Sequence, residues 1–586
     1  MNSLIRLIRY ANPWRGRMIM ATLYSVLNKL FDIAPEILIG MAVNVVVKRE
    51  ESFVAGLGFE SPKSQIYALG VATFFIWAFE SVFEYLYSVK WRGLAQDIQH
   101  ALRTDAYDQV QRLDMAWFET NSTGNLMATL NDDVNQLERF LDTGANEIIQ
   151  LLVSTVLIGG IFFYLEPTIG LMAVLPVPII FLGSICFQKN LGPRYTKVRE
   201  AAGAIGATLA NNLSGIATIK SFTAESRELG RLSLLSRAYQ DANGAAIAVS
   251  SAFIPVIRMA ILAGFLCTLV LGGLKVFDGT LDVGAYSVLI FLTQRFLWPF
   301  TRMGQTVDQF ERAMASARRA LNLLEQTFTI QDPASPLPCD TIRGQIRFEN
   351  VGFEYSNGTR IFKDLNLTIE PHTMVALVGG TGSGKSSLIK LLLRFYDVTA
   401  GNIRLDDMDI RHISLNNLRR HIGLVSQDVF MFQGTIRENI VYGRPDATDA
   451  EVEEAAKLSE AHAFISTLPD GYNTVVGERG QRLSGGQRQR LSIARVILTQ
   501  PAILILDEAT SAVDNETEAL IQKSLDHVAQ GRTTLVIAHR LSTIRHANVI
   551  HVLEQGEILE SGNHEDLVEK NGIYANLWKI QTGDTA

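Results

Sequence analysis

Three observations in the sequence predict a two-part fold, an α-helical membrane-spanning half followed by an α/β half built around a parallel sheet. Apolar residues in the first half gather into runs of about 20 residues or more, the length that crosses a ~30 Å hydrocarbon core. The second half instead alternates short apolar runs with glycine-rich and polar segments, the pattern of buried strands between helices. Between them, Asp332-Pro-Ala-Ser-Pro-Leu-Pro338 breaks any regular element. The expected division is therefore a membrane domain over 1–325, a linker over 326–343 and an α/β domain over 344–586.

Length and composition narrow the function. The 586 residues exceed one ordinary domain, and a net charge of −7 without a basic, aromatic-interleaved stripe argues against nucleic acid as a partner. Cys186, Cys267 and Cys339 are scattered and odd in number, so neither a disulfide framework nor a metal-ligand cluster is expected.

Six spans are expected, near 18–47, 65–89, 143–165, 168–187, 248–274 and 283–304. Lysine and arginine concentrate before the first span and in the long connections around 90–142 and 188–243. The positive-inside bias places those segments and both termini in the cytoplasm, with short loops near 48–64, 166–167 and 275–282 outside. Both long connections read as helical, so the spanning helices should extend beyond the bilayer. Each then has a tip that a cytoplasmic domain could grip, Trp117-Phe-Glu-Thr120 in the first and Leu213-Ser-Gly-Ile216 in the second.

Ionisable residues interrupt the spans: Lys29, Asp32, Glu36, Glu80, Glu84, Glu147, Arg258 and Arg295. Such groups are costly in lipid and face a protein interior or a wet cavity. Ion pairing is the plainer expectation, for example Lys29 with Asp32 or Glu80. The sharper one is that some of them line a translocation cavity and meet a polar part of the cargo.

In the second half, Gly379, Gly380, Thr381, Gly382, Ser383, Gly384, Lys385 and Ser386 fit the spacing G-x-x-x-x-G-K-[ST]. The motif follows the apolar run Met374-Val-Ala-Leu-Val378 and precedes an apolar helical run beginning after Ser387. Glycines let backbone N–H groups close around phosphate oxygens, Lys385 reaches the β- and γ-phosphates, and the Ser386 hydroxyl can ligate Mg²⁺. Tyr355, after the alternating run Ile346–Tyr355 with one slip near Asn350, offers a flat ring for adenine. The run Ala502-Ile-Leu-Ile-Leu ends in Asp507 and Glu508: Asp507 can hold Mg²⁺, and Glu508 can orient and deprotonate the attacking water. Strands at 533–538 and 422–426 would end at the same edge, presenting His539 to the γ-phosphate and Gln427 to Mg²⁺ or the water. Ser484, Gly485, Gly486 and Gln487 open a helix reaching about Ile497 and form a second anion-binding helix start. Two phosphate cradles with one set of catalytic carboxylates suggest a composite site, in which Ser484 of one copy closes over nucleotide held at Lys385 of another.

Taken together, these residues resemble the ATP-binding cassette (ABC) transporters, and specifically the half-transporter exporters with the membrane domain first. The resemblance covers nearly the whole chain and assigns an aromatic loop at Tyr355, Walker A at Gly379–Ser386, a Q-loop at Gln427 and the segment Thr474–Gly480. It also assigns the signature at Leu483–Gln487, Walker B ending at Asp507, a catalytic Glu508, a D-loop at Ser511-Ala-Val-Asp514 and a switch His539. Trp117-Phe-Glu119 and Leu213-Ser-Gly-Ile216 look like the family's two coupling helices, expected near 115–124 and 211–219. What the resemblance implies is a type IV exporter fold, with ATP and Mg²⁺ as cofactors and a second copy as partner, a heterodimer being the alternative. The cargo would be a small amphipathic molecule such as a lipid, drug, peptide or conjugate, and the setting a bacterial inner membrane with the nucleotide domain in the cytoplasm. A soluble ABC ATPase is disfavoured by the spans, and an ATP-gated channel or regulatory subunit by the intact catalytic residues.

Overall fold

The computed structural model of the chain describes residues 3–339, 341–507, 515–538 and 540–582. It divides into two compact units, Met1–Gln111 with Thr123–Gln326, and Arg112–Ser122 with Thr327–Ala586.

The first unit is helical. A short α1 (Ser3–Tyr10) precedes α2 (Arg15–Lys48), which runs through Pro35, and α3 (Pro62–Arg112), which opens on a proline whose fixed φ suits a helix start. The chain then makes α4 (Met115–Thr120), which belongs to the second unit. It continues as α5 (Thr123–Ala128), α6 (Val134–Arg139) and α7 (Ala145–Leu165), joined by π-turns into one run. Glu166, preceding Pro167, is extended as a pre-proline residue prefers, which ends α7 and starts α8 (Pro167–Val174) within one residue. Next come α9 (Pro176–Ser214), α10 (Ile216–Ser221), α11 (Glu225–Phe277), α12 (Val283–Leu297) and α13 (Met303–Leu324).

Among the described residues five helical runs are long and apolar enough to cross a membrane: Asn12–Lys48, Pro62–Arg112, Thr123–Leu165, Pro167–Ser214 and Glu225–Phe277. The sixth expected span, 283–304, is not one continuous α-helix. Its helix α12 stops at Leu297, and a tighter 3₁₀ segment at Trp298–Arg302, with Pro299 in its first turn, separates it from α13. Proline lacks the N–H that a continuing α-helix needs, so the ladder re-forms only at Met303. Within the fourth run a one-residue turn at Leu175, before Pro176, separates α8 from α9 without ending the run. The second tip also shifts: α9 persists through Ser214, and the separate short helix is Ile216–Ser221.

Close backbone approach sets how α2 meets α12. A Cβ at Gly40 would fall 2.2 Å from the Val288 side chain, and one at Gly284 only 2.4 Å from Asn44. Small residues at such crossings give dispersion contact that lipid tails do not replace. Beside them Asp282 receives Asn44 Nδ2 (2.6 Å) and Lys48 Nζ (2.5 Å). At the other end, Leu7, Trp91, Leu94, Ile98, Leu137 and Phe140 bury together with Ala313 and Ala317 of α13.

Four of the charges within the spans, Lys29, Asp32, Glu36 and Arg295, pair with one another. Lys29 Nζ is 2.7 Å from Asp32 Oδ2, and Arg295 on α12 bonds both Asp32 and Glu36 on α2. Of the two expected partners of Lys29, Asp32 and Glu80, it is Asp32 that pairs with it; the Glu80 backbone carbonyl accepts from Asn28 Nδ2 at 3.0 Å. Glu147 accepts from Thr306 Oγ1 (3.1 Å), and the Arg258 guanidinium stands 5.8 Å from the Trp298 ring.

The second unit holds two sheets. The antiparallel one has the order β2-β1-β4-β5, with β1 Ile346–Glu354, β2 Arg360–Ile369, β4 Ala400–Leu405 and β5 Met408–Asp409. The pairing of β1 with β4 slips between Glu349 and Gly352, where Asn350 takes a φ of 50°, as the broken alternation near Asn350 suggested. The larger sheet has the order β10-β9-β3-β8-β7-β6 and is parallel from β9 to β6. Its strands are β3 Met374–Val378, β6 Ile422–Val425, β7 Ile503–Asp507, β8 Thr533–Ile537, β9 Val549–Glu554 and β10 Glu557–Gly562. The strands of its centre are apolar on both faces: Ala376, Leu504, Leu506 and Val536 join one core, while Val375, Leu377, Ile503, Ile505 and Leu535 join another. A sheet buried on both sides reads as continuous apolar runs, which is why these strands were visible in sequence.

Candidate functional site

The site grows from the carboxyl edge of the larger sheet. Strand β8 lies between β3 and β7, with Leu377 and Asp507 both in register with Ile537. The loop after β3 and the carboxylate ending β7 therefore emerge at the same level, two interstrand spacings or roughly 9.5 Å apart. Val425, ending β6, pairs with Leu506, so Gln427 follows two residues beyond the same edge.

The loop between β3 and α14 (Lys385–Leu392) is shaped by three glycines. Gly382 and Gly384 have φ of 83° and 109°, values that a side chain disfavours. A Cβ on Gly384 would meet the Phe362 ring at 2.8 Å, and one on Gly379 the Leu553 carbonyl at 2.1 Å. The loop is thus pinned from below by β2 and β9, while positions 380 and 382 have open space above them. Lys385 is buried, and its Nζ donates to the carbonyls of Gly379 (2.7 Å) and Gly380 (2.9 Å) and to Ser383 Oγ (3.3 Å). That holds the ammonium across the loop mouth, where a phosphate oxygen would exchange for the carbonyls. Thr381 and Ser386 are exposed, and Ser387 is buried with its Oγ 2.8 Å from the Tyr355 hydroxyl.

For a divalent cation the candidates are Ser386, exposed, Asp507, half-buried, and Gln427, exposed. Among the described residues no group of three or more His, Cys, Asp and Glu converges. One carboxylate with hydroxyl and amide oxygens matches a Mg²⁺ that takes most ligands from phosphate and water, rather than an all-protein cage. Glu508, the segment Ser511–Asp514 and His539 lie outside the described residues.

Ser484 caps the helix Gly485–Thr499. Its Oγ accepts from Gln487 N (3.2 Å), and Gln487 Oε1 accepts from Ser484 N (2.9 Å), a reciprocal capping box. The helix start is therefore preorganised by Ser484 and Gln487, with Gly485 half-buried and Gly486 buried beneath it. Sequence reasoning missed Phe362, the floor under Gly384, because an apolar residue in an alternating strand carries no mark of what lies above it. It also missed Arg295 as the shared partner of Asp32 and Glu36, since pairing between distant helices leaves no local signal.

A glycine-rich loop opening a helix, a strand-end carboxylate in register beside it and a run of membrane-length helices fit a membrane-embedded ATPase. Comparison with known proteins gives the family. The model of the ABC transporter transmembrane region matches residues 18–300, and that of the ABC transporter matches residues 362–511. An uncharacterized ABC transporter ATP-binding protein of Bacillus subtilis, YknU, is 34% identical over 100% of this chain and 98% of its own length. A Staphylococcus aureus protein provisionally named a multidrug export ATP-binding/permease protein is 34% identical over 98% of this chain and 99% of its own. The solved structure of a bacterial Atm1-family ABC exporter with ATP bound superposes with a TM-score of 0.81 at 29% identity, covering 98% of this chain and 99% of that one. The chain belongs to the ABC transporter family, as a half-transporter of the exporter kind whose ATPase drives transport.

Proposed function

We propose that this chain works as a dimer that exports or flips an amphipathic molecule across a bacterial cytoplasmic membrane, with its nucleotide domain on the cytoplasmic side. The observation that carries the reading is the common register of β3, β8 and β7, which brings the Lys385 loop and Asp507 to one sheet edge.

In this reading Tyr355 stacks on adenine, and the amides of Gly379–Ser387 with Lys385 hold the phosphates. Ser386, Asp507 and Gln427 hold Mg²⁺, which when bound neutralises charge on the phosphoryl group. Glu508 orients the water and takes its proton, and His539 hydrogen-bonds the γ-phosphate. The Ser484–Gln487 helix start of a second copy closes over the same nucleotide, so that ATP joins the two nucleotide domains and hydrolysis releases them. Two identical chains give two competent sites, which favours a homodimer. The cluster of Lys29, Asp32, Glu36 and Arg295, with Glu80 and Glu84 one turn apart on α3, supports a polar passage for a cargo carrying a charged group. The name of the Staphylococcus aureus relative favours a drug-like cargo.

Glu508→Gln tests the mechanism. The variant should bind ATP and form the closed dimer while steady-state hydrolysis falls to background; hydrolysis close to that of the unaltered chain would mean that another group is the base.

A further inference from the structure

Helix α4 lies in chain order between the second and third apolar runs, yet it groups with the nucleotide unit. It is held at both ends. Asp114, just before it, accepts from Thr329 N and Thr329 Oγ1 (2.7 Å each) and from Ile330 N (3.2 Å). Glu119, near its other end, accepts from Lys390 Nζ at 2.7 Å.

Lys390 belongs to α14, the helix that the phosphate loop opens. Its ammonium stands 5.7 Å from the centroid of the Tyr355 ring and 5.9 Å from that of Tyr396. The two rings meet edge to face, with centroids 5.3 Å apart and an interplanar angle of 86°, and Phe353 packs on Tyr355 at 4.8 Å. Both distances to Lys390 fall within the range of cation–π attraction. Burial raises the Glu119 carboxyl, but the bonds and charge of its neighbours, Lys390 foremost, outweigh it and hold the group below its usual range. A half-exposed ion pair alone would be energetically neutral. Here the pair also fixes a cation against the ring assigned to adenine.

We propose that Glu119 and Lys390 are positioning residues for the adenine platform: Glu119 anchors the Lys390 ammonium against Tyr355 and Tyr396, and so sets the tilt of the Tyr355 ring. This rests on the reading of Tyr355 as the adenine-stacking residue. Nucleotide affinity then depends on where α4 sits, and by linkage bound nucleotide biases α4 in return.

The experiment uses the full chain in lipid nanodiscs, with ATP and base-free inorganic tripolyphosphate as competing probes and thermal unfolding recorded for every variant. Glu119→Gln and Lys390→Gln should each raise KM for ATP about three- to tenfold with kcat changed less than about twofold, while inhibition by tripolyphosphate stays as it was. Lys390→Arg, which keeps the cation, should stay within about twofold of the unaltered KM. In a Tyr355→Ala background Glu119→Gln should add less than about twofold. An unchanged KM in Glu119→Gln overturns the inference, and so does equal weakening of ATP and tripolyphosphate, which would mean a general loss of fold. If Tyr355→Ala itself leaves KM for ATP unchanged, the adenine assignment fails and takes this inference with it; if Tyr355→Ala weakens ATP while Glu119→Gln is silent, only the positioning role fails.

Discussion

Replacing Arg295 by methionine tests how the membrane unit tolerates its buried charges. Arg295 on α12 bonds Asp32 and Glu36 on α2, while Lys29, among the described residues, pairs with Asp32. Breaking a buried ion pair by removing one partner costs about 3–5 kcal/mol, whereas a fully exposed pair is worth about 0–1 kcal/mol. The Asp32 and Glu36 side chains are 17% and 10% exposed, but Arg295 is 34% exposed, so the buried figure is reduced for solvent screening. A loss of about 2–3 kcal/mol follows, a roughly 30- to 150-fold shift toward the unfolded state. Most of it should fall on Glu36, since Asp32 keeps Lys29. Denaturant unfolding in nanodiscs would read the loss directly. Adding Glu36→Gln, which removes the stranded charge, should recover at least half of it. A stability unchanged within about 0.5 kcal/mol, or a further loss on adding Glu36→Gln, would refute the assignment of this pair as a buried clamp between the helices.

Gly384→Ala should abolish ATP binding, because its φ of 109° and a Cβ 2.8 Å from the Phe362 ring force the phosphate loop open; equilibrium binding of a fluorescent ATP analogue measures it, and retained affinity would contradict the loop geometry. Ser484→Ala removes the capping box and should cost about 0.5–2 kcal/mol in unfolding of the nucleotide unit. If Ser484 also closes over nucleotide of a second copy, hydrolysis will fall further than that stability loss explains. Burial pulls the His551 imidazole below its ordinary value and does the same to His564, with Arg545 and His546 adding to the shift and Glu565 opposing it. Below the unfolded pKa of about 6.5 the unfolded state takes up more protons than the folded one, so stability should fall as pH drops from 7 to 5.5. Thermal melts at pH 7.5, 6.5 and 5.5 should show that slope, flattened when both histidines are replaced by glutamine; an identical slope would remove them as its source.

Much of the candidate nucleotide site is legible in the sequence, because its motifs are local. The glycine spacing around Lys385 and the apolar strand ending at Asp507 each state their geometry within a few residues. The antiparallel strand β2 was less visible: Arg360–Ile369 mixes charged and apolar residues, and its purpose, to place Phe362 under Gly384, lies between distant segments. The interruption of the sixth span is hidden in the sequence for a related reason. Apolar content predicts passage through lipid, but the break at Trp298–Arg302 depends on a proline whose effect is settled by how the ladder re-forms around it.

The sequence by itself determined the two-part architecture, the glycine-rich loop around Lys385 and the presence of charges within apolar helices, since all three are written in composition, spacing and short motifs. Only the tertiary structure decided that Arg295 serves both Asp32 and Glu36, and that α4 joins the nucleotide unit through Asp114 and Glu119. It alone decided, too, that Lys390 stands against the Tyr355 ring. The physical reason is that partners far apart in the chain are chosen by packing, and a packed interface leaves no periodic trace in either partner taken alone.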